Sequence, residues 1–139
     1  MRRILAIFLG ALAASLVLLL VGMIANAINP TPPEFMDPET PEDVARRVAS
    51  ATTFTWLSTI FGLSLGAFVG GAIGALIAKD RILSITNLIG LVLSLWAFYT
   101  FYIVFPAVLW VPALMLICVF LFSYFGGKVV QKNRTPKDG

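Results

Sequence analysis

The chain has no histidine, a single cysteine and only 12% charged residues among its 139. Each scarcity excludes something. Without histidine the commonest general base and the commonest metal ligand are missing. No Ser–His or Cys–His nucleophile can be assembled either. Cys118 has no disulfide partner within the chain and reads as a small buried hydrophobe. Soluble domains carry roughly 25% charged residues, about twice the share found here, so that class is excluded. The charges that exist avoid four long stretches, residues 4–27, 54–78, 82–104 and 107–127. Asp, Glu, Lys, Arg or His at bilayer depth is the usual mark of proton relays and ion pathways, and these stretches contain none of them. No cofactor site, metal site or nucleic-acid surface is expected.

What is present is hydrocarbon. Hydrophobic residues make up 59% of the chain, with a mean hydropathy of +0.93. A bilayer crossing takes ~20 apolar residues, and each charge-free stretch is that long. The expected fold is therefore all-α: one integral membrane domain over residues 1–139, a bundle of four transmembrane helices. The helices are expected at about 4–27, 41–78, 82–104 and 107–127, with a loose basic cytoplasmic tail at 128–139.

Lys and Arg resist translocation and stay cytoplasmic. With four crossings, Arg2, Arg3, Lys79, Arg81, Lys128, Lys132, Arg134 and Lys137 fall on one side, eight of the ten basic residues. The other side holds Arg46 and Arg47 against Glu34, Asp37, Glu39, Glu42 and Asp43, a net of −3. Both termini are expected inside, in a bacterial inner membrane. Arg2 and Arg3, the apolar run and Ala25-Asn26-Ala27 also look like a secretory signal, but a signal core is about 7–15 residues and this run is longer. Retention of the first helix is expected.

The segment "NPTPPEFMDPETPED" cannot be continuously helical, because its prolines fix φ and remove donors. Thr40 then reads as an N-cap, Pro41 as the first helical residue and Asp43 as the acid of a capping box. Nothing from there to Trp56 stops a helix, so the second span is expected to project from the membrane as an external extension. The acidic cluster lacks the ligand spacing of a calcium loop. Phe35 and Met36 within it are apolar residues that could touch a partner. The connection "KDR" is short enough to make the second and third spans antiparallel neighbours. Trp56, Tyr99, Tyr102, Trp110 and Tyr124 read as interface anchors. Pro112 is expected to bend the last helix or delay its start.

The strongest pattern is a stripe of small residues: Gly62, Gly66, Gly70, Gly74 and Ala78 recur at steps of four. Glycine costs a helix roughly 1 kcal/mol relative to alanine, and in lipid the return is close backbone approach. Gly71, Ala67 and Ala75 are expected to widen the same groove. A matching track runs through Ala6, Gly10, Ala14 and Gly22, with Asn26 beyond it, and a third through Thr86, Gly90 and Ser94. Two readings stand: the tracks pack on one another within a protomer, or the Gly62 track faces another subunit. Asn87 is expected to donate an interhelical hydrogen bond, and Ser58, Thr59, Ser64 and Ser94 to bond their own backbone.

"MRRILAIFLGALAA", the Pro-rich acidic loop, "GAFVGGAIGALIAKDR" and "FPAVLWVPAL…FGGK" together resemble the uncharacterised small four-helix integral membrane proteins of bacteria. That resemblance implies fold and membrane location, and no established activity. The small multidrug transporters depend on a first-helix glutamate, which residues 4–27 lack. The dimeric fluoride channels carry their glycine-arginine motif in the first helix, whereas "GGAIGALIAKDR" ends the second. The function expected is non-enzymatic helix packing, as an accessory or stabilising subunit beside other membrane-protein subunits in the lipid bilayer. The alternative is a homo-oligomeric channel or small-solute transporter with a path lined by Ser, Thr and Asn.

Overall fold

The computed structural model describes residues 1–30, 32–33, 39–78, 81–104 and 109–134. Among them there are helices and no strands: α1 (Arg2–Ile28), α2 (Pro41–Ser50), α3 (Thr53–Ala78), α4 (Ile82–Tyr99), a π-helical turn (Thr100–Val104) and α5 (Trp110–Arg134). Four spans are long and apolar enough to cross a membrane: α1, α3, α4 with its π turn, and α5. At 1.5 Å rise per residue, the 27 residues of α1 reach about 40 Å, more than the ~30 Å of a hydrocarbon core. This is the architecture of a multi-pass membrane protein.

α2 begins as its sequence dictates. The Thr40 hydroxyl accepts from the Asp43 N–H at 3.2 Å, and Asp43 Oδ2 accepts from the Thr40 N–H at 3.3 Å. Pro41 follows at the first helical position. The expected single helix over 41–78 is broken, however. Ala51 is extended, with φ −67° and ψ 128°. Beyond it the Thr52 hydroxyl accepts from the Thr55 N–H at 3.4 Å and the Thr52 carbonyl from the Trp56 N–H. A threonine that satisfies the orphan donors of a following turn competes with continuation of the preceding helix. α3 therefore starts afresh, and α2 stands apart as a separate short helix.

The last helix differs from expectation in the opposite direction. Instead of giving way to a loose tail at residue 128, α5 runs to Arg134. Its start at Trp110 puts Pro112 in the first turn, where a missing N–H costs nothing. Arg134 explains the extension: its guanidinium donates to the Ala75 carbonyl at 3.3 Å and the Leu76 carbonyl at 2.5 Å. Those carbonyls belong to the last turn of α3, which attracts a cation through its exposed dipole. Arg81, which opens α4, sits in the left-handed region at φ 49° and ψ 43°. In the π turn, the Thr100 hydroxyl donates to the Trp96 carbonyl at 2.8 Å.

α3 is the central helix. It packs on α1, α5 and α4, while α4 also meets α5 and, more lightly, α1; α1 and α5 do not touch among the described residues. α1 is thus peripheral, held along one stripe. Its buried residues are Ala6, Gly10 and Ala14, and Phe8, Leu12, Leu16, Leu19, Leu20 and Met23 are exposed. An apolar outer shell of this kind is what a lipid-facing helix presents.

Candidate functional site

The small-residue track resolves into two seams on α3. The first faces α1. A methyl built on Gly66 would lie 2.6 Å from the Ala14 carbonyl oxygen, and one on Gly70 would lie 2.5 Å from that of Gly10. Gly74 faces Ile89 and the Ala6 backbone, and Gly62 faces Val21 and Leu18. Ala78 packs with Ala6, Ile85 and Ile89. The Gly62–Ala78 track is therefore filled by α1 and by α4 of the same chain, and is not a surface offered to another subunit. Gly22 stands outside the seam, with nothing within 4 Å of an added methyl.

The second seam faces α5. Gly71, Ala67 and Ala75 do not widen the first groove; at about 100° per residue they lie around the helix from it. Gly71 abuts the Ser123 carbonyl, Ala67 packs with Met115 and Val119, and Ala75 with Val130. In return Gly126 abuts the Phe68 carbonyl. The Thr86 track of α4 meets α5 as well. Thr86 fills the space at Gly127, Gly90 faces Ser123, and the Ser123 hydroxyl donates to the Thr86 carbonyl at 2.9 Å. Ser94 donates across to the Leu116 carbonyl at 3.3 Å rather than to its own helix. Ser58 and Thr59 do bond back, both to the Thr55 carbonyl. The role of Gly127 was readable from the four-step series Met115, Val119, Ser123 and Gly127.

The aromatic residues divide. Tyr99, Tyr102 and Trp110 are exposed, and Tyr102 stacks on Phe98 at 5.1 Å. Tyr124 lies edge-on to Phe125 and beneath the Lys128 ammonium. Trp56 is not an outward anchor. It is only 9% exposed and packs edge-on against Phe101, with ring centroids 6.3 Å apart. The Asn87 Oδ1, an acceptor, is buried with no hydrogen-bond partner. Phe35 and Met36 lie outside the described residues.

Trp56 and Phe101 also line a cavity of about 500 Å³ at the α2 end of the bundle. That volume falls within the usual range for small-molecule sites. Its walls come from four places: Asn29 and Pro30 after α1, Arg47 and Val48 on α2, Thr52, Thr55 and Thr59 at the start of α3, and Thr100 in the π turn. The Asn29 amide donates to the Thr52 hydroxyl at 3.4 Å, and Thr52 and Thr55 hydroxyls lie 3.2 Å apart. Trp56 also belongs to a buried cluster with Ile60, Leu63, Ala67, Ala97, Met115 and Val119. Thr55 and Thr59, four residues apart near the start of α3, with Thr52 just before the helix, were the signal for this site.

No group of three or more His, Cys, Asp or Glu residues that could hold a metal occurs among the described residues. Cys118 is half-buried and free. The hydroxyl and amide groups that line the cavity can accept hydrogen bonds and donate them. No protein family, curated protein or solved structure matches the chain.

Proposed function

We propose that the protein is a non-enzymatic component of the bacterial inner membrane that acts by helix packing, as an accessory or stabilising subunit of a larger complex. Both termini lie in the cytoplasm, following the distribution of Lys and Arg. The observation that carries this reading is the filled interior. The seams at Gly66, Gly70 and Gly71 close backbone against backbone, and the charge-free stretches of the four spans hold no Asp, Glu, Lys or Arg. The chain is left to act through its surface. The peripheral helix α1 contributes to that surface with Phe8, Leu12, Leu16 and Leu19 outward.

One observation favours a second reading, a homo-oligomeric channel or small-solute transporter. Asn29, Thr52, Thr55, Thr59 and Thr100 line a wet-sized cavity at one end of the bundle. Four helices this apolar cannot enclose a wet pore alone, so passage would need several protomers. Solute flux into proteoliposomes of the purified protein separates the two. Absence of flux together with co-purification of a second membrane protein supports the subunit reading; flux by the protein alone overturns it.

A further inference from the structure

The two ends of the bundle differ in charge. Ala6 of α1 packs with Ala78 of α3 and Ile85 of α4, and Val130 of α5 shares a buried cluster with Ala75 and Ile82. The start of α1, the end of α3, the start of α4 and the end of α5 therefore lie together. That end carries Arg2, Arg3, Arg81, Lys128, Lys132 and Arg134, all of them exposed. No Asp or Glu stands there among the described residues, and the adjoining sequence adds Lys79 and Lys137 against Asp80 and Asp138. Two of the six cations are engaged. Arg134 donates to the Ala75 and Leu76 carbonyls, and Lys128 lies over the Tyr124 ring. The side chains of Arg2, Arg3, Arg81 and Lys132 meet no acidic partner among the described residues. Neither α1 nor α4 opens with an acidic residue in its first turn. The opposite end, by contrast, sets Glu42 and Asp43 in the first turn of α2.

Depth narrows the class of partner. Arg2 and Arg3 directly precede the apolar run that begins at Ile4, and Arg81 directly precedes Ile82. Lys132 follows just beyond the end of the last apolar run at Gly127. Long basic side chains at such places lay their stems along apolar surface and hold their charge at the level of the headgroups. We propose that this end of the bundle binds anionic phospholipid headgroups, one at Arg2 and Arg3 and one at Arg81 and Lys132. A guanidinium matches phosphate with paired donors, and each pair includes at least one. The surface is independent of the subunit reading and of the alternative to it.

The test is lipid titration of the full-length protein, released in mild detergent and weighed by native mass spectrometry. Phosphatidylglycerol and phosphatidylcholine with identical chains are the probes. Two phosphatidylglycerol molecules per chain are expected to bind in preference to phosphatidylcholine. Arg2→Gln with Arg3→Gln weakens one of them about 25-fold, about fivefold for each charge removed. Arg81→Gln with Lys132→Gln weakens the other to the same degree, and Arg81→Lys keeps it. Arg46→Gln, exposed at the opposite end, changes nothing. Equal binding of the two lipids, or a loss at Arg46 as large as at either pair, overturns the proposal. So does undiminished binding by both double variants. Displacement of the lipid by glycerol phosphate at equal concentration also overturns it, and assigns the cations to a soluble anion.

Discussion

Gly10 of α1 and Gly70 of α3 face each other with no space between them for a side chain on either. A methyl on Gly10 would come 2.7 Å from the Gly70 carbonyl oxygen, and a methyl on Gly70 would come 2.5 Å from that of Gly10. Contact this close is the main attraction available between helices in lipid, where no hydrophobic drive favours association. The reciprocal pair sets how near α1 lies to the rest of the bundle.

Gly70→Leu or Gly66→Leu should therefore loosen α1 from α3. Overpacking a well-filled core typically costs 1–3 kcal/mol, and here the obstacle is backbone that cannot swing aside. Thermal unfolding in micelles should show that loss for both variants and for Gly10→Leu. Gly22→Leu, outside the seam, should melt like the wild type. Equal melting of all four proteins would contradict the packing described.

The long reach of the amino-acid pattern is seen in that seam, and so is its limit. Runs of twenty apolar residues bounded by charge dictate spans, so the four helices could be read directly. The steps of four at Gly62–Ala78 and at Ala6–Ala14 named both sides of the α1–α3 contact. What could not be read was rotation. Adjacent glycines at 70 and 71 look alike in sequence, yet one meets α1 and the other α5. The break before Thr52 was hidden because alanine, serine and threonine permit a helix without requiring one. Trp56 was assigned outward for its residue type, and a tertiary contact with Phe101 turned it inward. The anchoring of residue 134 on a carbonyl 58 residues earlier is a long-range contact with no local signal.

Tryptophan fluorescence checks that inward turn. Trp56 is 9% exposed, whereas Trp96 and Trp110 are 50% and 44% exposed. In variants that keep one tryptophan each, brominated lipid should quench Trp96 and Trp110 strongly and Trp56 weakly. Comparable quenching of all three would place Trp56 at the lipid face.

Ser123 is expected to matter more through its size than through its hydrogen bond. Interhelical hydrogen bonds of this kind average about 0.6 kcal/mol in membranes, so Ser123→Ala should cost about that much. Ser123→Leu places bulk against Gly71 and Gly90 and should cost about 1–3 kcal/mol. Denaturation in mixed micelles reads both. A larger loss from the alanine variant would reverse the assignment.

Arg134 should stabilise the end of α3. Arg134→Ala removes two hydrogen bonds to carbonyls of the last turn, and a cation in that position contributes roughly 0.3–1 kcal/mol. Amide exchange at the end of α3 should quicken in this variant and not in Lys132→Ala. Identical exchange in the two would remove the capping role.

The central claim is that this chain works as a subunit among other membrane helices, and native mass spectrometry of the protein released gently from its own membrane tests it most directly. The account predicts a heteromeric mass that contains this chain and at least one other membrane protein. A monomer, or an assembly made only of copies of this chain, would contradict it.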